Sequence, residues 1–375
     1  MIPSHHGHIP STRPEPVPGV RRVMHRAVTG ARGAVPRYTR ELIASVAERL
    51  GAQAPVEPSA QIEAFTQADL AALWIGHATV LLHVGGVGGI TILTDPVFSR
   101  RIGMSVGGMT LGLARIAPPA IDIAHLPPID LVLLSHAHFD HLDRPSLRRL
   151  VGAGTGPRHN EFKDPGLPAP ARNAAVITAT HTRRLIPQGY GEIIELPWQR
   201  PARVGVGAPP RNGGGGGAGG GGGDDPGTPP APKHLTITAI KPEHWGARTA
   251  YDRHRRFNSY LIESNHHRIL FAGDTAHTHA FDHLGPVDLA IFGIGAYNPW
   301  EHAHATPEQV WSMYTHLGAP AHDAPHGHLL PMHHSTFILS REPVAEPLER
   351  LRHIAGPHTG RIVAEMPGKM WAMLK

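Results

Sequence analysis

Four residues within six positions, His136, His138, Asp140 and His141 in the stretch SHAHFDHLD, offer imidazole and carboxylate side chains. Imidazole nitrogens and carboxylate oxygens bind zinc and neighbouring divalent metals. His136 and His138 are two apart, so on an extended backbone they point the same way. Asp140 and His141 follow at a turn and can face a second ion. Four donors in so short a run exceed what one tetrahedral ion takes once ligands arrive from elsewhere. The spacing therefore points to two ions sharing a solvent molecule. The chain holds 30 histidines, so some pairs two apart must occur by chance. This cluster differs from such pairs in following directly on an apolar run, and a motif is only as good as that context.

The elements that must position these residues can be read from pattern. Asp130 to Leu134 has the length and flanks of a buried strand, and the cluster lies on the loop leaving it, the edge where ligands collect in open α/β sheets. Asp143 can cap the following helix, with Pro145 in its first turn. Upstream, Val80 to Val84 and Ile90 to Leu93 flank Gly85-Gly86 and Gly88-Gly89 and read as a hairpin. Downstream, Ala175 to Thr180, Glu192 to Leu196, Leu235 to Lys241, Ser259 to Ile262, Arg268 to Phe271, Asp288 to Gly293 and Leu329 to Met332 read as strands. Thr306-Pro307-Glu308-Gln309 opens a helix with a capping box, and Gly318 can close it. Pro343 to Ile354 is a further helix, and Arg361 to Ala364 and Met370 to Leu374 close a sheet. Arg100 to Pro119 is apolar and glycine-bearing, which predicts either a loop lining a site for a greasy substrate or an irregular helix.

Composition narrows the chemistry. The 375 residues include no cysteine, so disulfides and thiolate metal sites are excluded and any metal must rest on His, Asp and Glu. Absence of cysteine fits a reducing, cytoplasmic setting. The opening residues lack the apolar run of a secretory signal, and no stretch of 18 apolar residues predicts a membrane span. The net charge of +5 and a pI near 9.7 favour anionic substrates, acidic lipid surfaces or nucleic acid without choosing among them. Residues 1–60 read as a basic, partly flexible extension. His5, His6 and His8 lack a strand or carboxylate to frame them. Tyr38, Leu42, Ile43, Val46 and Leu50 recur at helical spacing, for a helix packed on the body or one touching lipid beside Arg37, Arg40 and Arg49. Glycine and proline number 43 and 38, well above the usual ~12% of a chain. Much of the excess falls in 203–233, which predicts a disordered insert within one domain.

HAHFDH resembles the HxHxDH signature of the metallo-β-lactamase superfamily. WIGHAT and LTDPVFS resemble the branch containing N-acylphosphatidylethanolamine-hydrolysing phospholipase D and its bacterial relatives. HWGAR resembles that family's third-histidine region, FAGDT is a further family motif, and HHSTF stands where the family reads HWGTF. The resemblance implies an α/β fold over 64–375, an αββα sandwich of two central mixed β-sheets flanked by helices. It implies two divalent ions, zinc foremost, with His136, His138 and His244 on one, Asp140, His141 and His333 on the other, and Asp274 bridging. His334 competes with His333, because His334 and Ser335 replace Trp and Gly. His77 and Asp95 are implied to lie near the ions, orienting ligands or touching substrate rather than ligating. His304 falls at a substrate-side position for which His302 competes, whereas His277, His279 and His283 read as solvated.

Such a pair of ions lowers the pKa of a bridging water toward ~7, giving hydroxide for attack on phosphorus or a carbonyl. Asp140, Asp274 and His304 are the implied catalytic groups. The implied substrate is a phosphodiester such as N-acylphosphatidylethanolamine, cleaved in the phospholipase D manner, with peripheral membrane contact. Alternatives of the same fold are a lactonase or sugar-phosphate hydrolase. A nuclease suits the positive charge, but the extra length is mostly glycine rather than an RNA-binding domain. A metal-binding scaffold is the non-enzyme alternative, though a scaffold has no need of the full donor set.

Overall fold

A computed structural model describes residues 61–106, 109–152, 169–206, 233–249, 251–317 and 327–373. The basic extension 1–60, the helix expected over Tyr38–Leu50, Gly318 and residues 207–232 of the glycine insert lie outside the described residues. Helix α1 (Gln61–Gln67) leads into β1 (Leu70–Gly76), β2 (Thr79–Val84) and β3 (Ile90–Thr94), an antiparallel meander whose strand residues are all buried. Burial on both faces explains why these strands read as near-continuous apolar runs. Next come β4 (Arg101–Val106) and β5 (Met109–Ala114), paired only with each other, then β6 (Leu131–Leu134), α2 (Arg144–Leu150), β7 (Ala175–Thr178) and β8 (Ile193–Glu195). The second half runs through β9 (Pro201–Val206), β10 (Lys233–Ile240), β11 (Ser259–Glu263), β12 (Arg268–Phe271), β13 (Leu289–Gly293), α3 (Pro307–His316), β14 (His328–Met332), α4 (Glu346–Ala355) and β15 (Met370–Met373).

Two mixed sheets result. One has seven strands in the order β15-β1-β2-β3-β6-β7-β8, and the other six, in the order β14-β13-β12-β11-β10-β9. Side chains alternate across each strand, and the alternation sorts them into three layers of core. Trp74, Leu82, Ile92 and Leu133 of the first sheet meet Ile237, Tyr260, Phe271 and Met332 of the second between the sheets. Leu73, Leu81 and Val132 face outward onto Phe65 of α1 and Leu147 and Leu150 of α2. Leu270 and Ala290 face the other way onto Val310 and Met313 of α3 and Leu351 of α4. This is the αββα sandwich expected. Both helix starts form as the pattern predicts: Asp143 accepts from the Ser146 amide at 3.2 Å, and Thr306 and Gln309 complete a capping box. Among the described residues no helix is long and apolar enough to cross a membrane.

Several local expectations change. Arg100 to Pro119 is neither an irregular helix nor a structureless loop but carries the β4–β5 hairpin. Gly103 and Gly112 allow it, since a Cβ on Gly103 would sit 2.0 Å from the Leu111 carbonyl oxygen and one on Gly112 1.9 Å from that of Ile102. The insert is shorter than 203–233, because residues 203–206 belong to β9 and Lys233 opens β10. Val204 and Leu235 bury together in the inter-sheet core, so pairing of the two strands repays their ordering. Helix α4 starts at Glu346 rather than Pro343, with Pro347 in the first turn where no amide donor is needed. Arg361 to Ala364 forms no strand. A 3₁₀ turn over Gly356–Arg361 precedes a single bridge from Ile362 to Leu329.

Candidate metal centre

Every sequence-predicted site residue lies just beyond the carboxyl end of a strand or on a loop beside those ends. His77 follows β1, Asp95 follows β3, His136 to His141 follow β6, His244 follows β10, Asp274 follows β12 and His333 follows β14. Three of these turns are tight enough to place a non-glycine residue at positive φ: His77 at 53°, Asp95 at 31° and His333 at 63°. Such conformations cost of order 1–3 kcal/mol each and persist only where surrounding contacts hold them. Here the contacts are explicit. The His77 amide donates to Thr336 Oγ1 at 2.8 Å, and the His77 carbonyl accepts from Trp74 Nε1 at 2.8 Å and from the His333 amide at 3.1 Å. Gly273, at φ 60°, passes so close to Ser135 that a Cβ would lie 2.9 Å from the serine Cβ, which accounts for the glycine in FAGDT.

The donor atoms converge in two groups of four with the Asp274 carboxylate between them, and Asp274, His304 and His333 form a third set that links the two. In the first, His136, His138, His244 and Asp274 each bring one ligand-type atom within 4.8 Å of the others. His136 Nε2 lies 2.8 Å from His138 Nδ1, and His244 Nε2 lies 3.4 Å from that same atom. In the second group, His77, Asp140, His141 and His333 do likewise. Asp274 lies between them. Its Oδ2 is 3.0 Å from His141 Nε2, 3.7 Å from His244 Nε2 and 3.9 Å from His136 Nε2, and its Oδ1 is 3.3 Å from His333 Nε2. His77 thus stands closer in than expected, with Nε2 3.1 Å from Asp140 Oδ2, among the donors rather than behind them. Of the competing histidines, His333 faces the carboxylates, whereas His334 lies against Trp74, with ring centroids 4.7 Å apart and planes tilted by 42°. His304 brings Nδ1 to 3.8 Å from Asp274 Oδ2, and His302 is exposed, stacked against Trp245. His277, His279 and His283 are exposed, as read from sequence.

Outer hydrogen bonds select the ring atoms that face inward. His141 Nδ1 donates to Asp95 Oδ2 at 2.7 Å. Ser135 Oγ donates to the same oxygen at 2.5 Å and accepts from His136 Nδ1 at 2.9 Å. His244 Nδ1 donates to the Ala303 carbonyl at 3.0 Å. In all three rings the remaining Nε2 lone pair is left aimed at the centre, the arrangement that readies an imidazole for a metal. Asp95, through Oδ2, thus bears on both His141 and Ser135. Replacing it with alanine removes the partner of His141 and of Ser135, and zinc affinity is expected to fall about 10–100-fold. Competition with a chromophoric chelator measures this, and unchanged affinity would remove Asp95 from the ligand-orienting role.

The donor set fits divalent cations. Asp274 is buried with its Oδ1 without a hydrogen-bond partner, a costly state for a carboxylate unless a cation answers it. Burial alone would raise the Asp274 carboxyl, yet His141, His333 and His304 hold it well below the usual carboxylate range. Burial likewise opposes charge on His333, but Asp274 and Asp140 bring it up to about 9. So many basic nitrogens around one buried and one part-buried carboxylate make a site that demands positive charge at its centre.

Two supporting residues have parts that only their contacts disclose, although Arg248 lies within a motif. Ser135 is a buried hydroxyl between strand and cluster, and only its contacts disclose its part. Arg248, the last residue of HWGAR, lies more than 100 positions from the HAHFDH loop yet holds it. Its Nε donates to the Ala137 carbonyl at 2.5 Å, its Nη2 donates to the Leu142 carbonyl, and its guanidinium lies 4.2 Å from the Phe139 ring centroid.

Comparison with known proteins supplies relatives for this arrangement. A protein-family model described as "Beta-lactamase superfamily domain" matches residues 91–334. An uncharacterised protein of Mycobacterium tuberculosis is 32% identical over 306 residues, covering 80% of this chain and 68% of that protein. N-acyl-phosphatidylethanolamine-hydrolyzing phospholipase D 1 of Caenorhabditis elegans is 26% identical, covering 77% of this chain and 70% of that protein. The solved structure of isothiocyanate hydrolase from Delia radicum gut bacteria covers 81% of this chain and 99% of its own, with a TM-score of 0.50 and 14% identity, a likeness of fold alone. The family match runs from β3 to His334 and takes in every donor named above except His77, and by that match and the mycobacterial identity the chain belongs to the β-lactamase superfamily, as a metal-dependent hydrolase of the metallo-β-lactamase fold.

Proposed function

We propose that the protein is a dinuclear zinc phosphodiesterase whose substrate is a lipid phosphodiester such as N-acylphosphatidylethanolamine, cleaved in the phospholipase D manner. The observation that carries this reading is the place of Asp274, one carboxylate facing both donor groups. His136, His138 and His244 would hold one ion, and Asp140, His141 and His333 the other, with Asp274 shared and His77 in reach of the second. When bound, the pair would supply Lewis acidity, an activated water nucleophile and charge neutralisation for an in-line displacement at phosphorus.

The chain's own groups do the rest. Asp95, Ser135 and the Ala303 carbonyl keep the imidazoles turned inward. Burial holds His304 down to about 4, so it is neutral at pH 7 and can donate one N–H to a substrate oxygen at the rim. The β4–β5 hairpin stands beside the centre, since Ile102 and Leu113 pack with Phe139 of the donor loop and with Phe337, whose ring lies 5.1 Å from that of His77. Met104 on this hairpin and Ile116 after it are about half exposed, at 53% and 47%, which supports an acyl-bearing substrate and peripheral contact with a membrane. The names of the nematode and yeast relatives, N-acyl-phosphatidylethanolamine-hydrolysing phospholipases D, support the same class. We further place residues 64–375 in one hydrolase domain, the basic extension 1–60 outside it, and the protein in the cytoplasm.

Metal analysis of the purified chain is expected to find two zinc ions, and activity on a lipid phosphodiester in mixed micelles to exceed that on a lactone or RNA. Chelation should abolish the activity and zinc restore it. Robust turnover of lactone or RNA with none of the lipid would replace the substrate class, and a metal-free active protein would remove the whole reading.

A further inference from the structure

A basic recess adjoins the centre, and the reading above makes no use of it. Trp245, Arg248, Arg253, Arg255, Arg256 and Phe257 are among the residues enclosing a cavity of about 560 Å³. Four of its lining residues are arginines, and none of the described residues lining it is a carboxylate. Two of the four are already engaged. Arg248 holds the donor loop, and Arg255 pairs with Asp252 at 2.7 Å and donates to the His181 carbonyl. The guanidiniums of Arg253 and Arg256 donate no hydrogen bond among the described residues, and both side chains are exposed. Arg256 rests 5.0 Å from the Trp198 ring centroid, on which Lys241 Nζ also bears at 5.3 Å. Positive charge is thus gathered there beyond what the neighbouring Asp252 answers.

The recess is continuous with the donors of the first group. The Trp245 ring, 42% exposed, stands 4.5 Å from His244 and 4.9 Å from His138, and the Phe257 ring 6.5 Å from His244. The walls of the recess therefore touch the ligands, and a molecule held at the centre can extend an arm past Trp245 toward Arg253 and Arg256.

We infer that this recess binds an anionic group, phosphate or carboxylate, carried on the ester arm outside the bond that is cleaved, with Trp245 as the wall along which the arm lies. The inference rests on the phosphodiesterase reading and adds which diesters the site prefers. Guanidinium forks match phosphate and carboxylate oxygens in pairs, and such charge-assisted bonds are about twice as strong as neutral ones.

The test uses the full-length, zinc-loaded protein and two pairs of diesters. One pair is soluble, nitrophenyl phosphodiesters whose second arm is either methyl or ends in a carboxylate. The other is a pair of nitrophenyl phosphodiesters whose second arm is a long alkyl chain, neutral or carboxylate-bearing, presented in mixed micelles. At low salt kcat/KM is expected to favour the anionic arm about tenfold in at least one presentation, and the presentation identifies whether the source is soluble or lipid. The preference should decline with added sodium chloride, vanish in Arg253→Ala/Arg256→Ala and largely survive in Arg253→Lys/Arg256→Lys. Zinc content equal to that of the parent protein shows that the variants are folded. Sulfate titrated calorimetrically into the same proteins should bind about tenfold more weakly to the double alanine variant. No preference in either presentation, or sulfate affinity unmoved by the alanine pair, overturns the inference. If no diester is hydrolysed while sulfate binding still depends on the two arginines, the phosphodiesterase reading fails and the anion site stands.

Discussion

The Asp274→Asn protein is expected to hydrolyse a phosphodiester about 10³-fold more slowly and to retain at most one zinc per chain. Asp274 is unlike the other donors because its two oxygens lie near histidines of both groups. One of its oxygens lies 3.0 Å from His141 Nε2 and the other 3.3 Å from His333 Nε2. An amide there keeps the volume but loses the charge that faces both groups of donors. Loss of several kcal/mol of charge stabilisation corresponds to the factor given. Zinc content and kcat measured on one preparation check it. Two zinc ions with activity within tenfold of the parent protein would take Asp274 out of the shared position. Asp140→Ala is the companion, since it strips only the second group.

The second large effect is on stability. Trp74→Ala is expected to destabilise the fold by about 3–5 kcal/mol. The side chain is fully buried and fills the space between the two sheets. No neighbouring strand can close over the space, because both sheets are held by ladders on either side. The same change also removes the Nε1–H that holds the His77 carbonyl at 2.8 Å, so the second donor group should loosen with the core. Urea unfolding followed by circular dichroism measures the first effect, and zinc affinity the second. Trp74→Phe separates them: it keeps most of the packing and loses only the hydrogen bond, worth about 1 kcal/mol. A Trp74→Ala protein as stable as the parent would mean that the inter-sheet core is not packed as described.

What the two variants probe was unevenly visible in the chain. The strands that carry the donors were legible, since Ser259 to Ile262, Arg268 to Phe271 and Asp288 to Gly293 lie within a residue or so of the observed elements. Their signal is local, an apolar run bounded by turn residues, and burial on both faces makes it strong. The β4–β5 hairpin was not legible in this way. Its glycines read as flexibility, whereas in the fold they permit two backbones to approach closely. The end of β9 was hidden by the glycine tract that follows it, because compositional bias masks a short alternating strand whose partner lies beyond the tract.

By itself the sequence determined the donor chemistry, with no thiols and an HxHxDH cluster placed after a buried strand; the later His and Asp donors came from the family resemblance of HWGAR, FAGDT and HHSTF. Those are matters of residue type and of spacing along one local segment. Only the tertiary structure decided that His333 rather than His334 turns inward, that His77 stands among the donors, that Arg248 holds a loop more than 100 residues away and that arginines gather beside Trp245. Each of these depends on contacts between segments far apart in the chain, such as the His77 amide on Thr336 and the Arg248 guanidinium on Ala137. A side chain's direction at a strand end is set by such contacts, and no periodicity within a single segment records them.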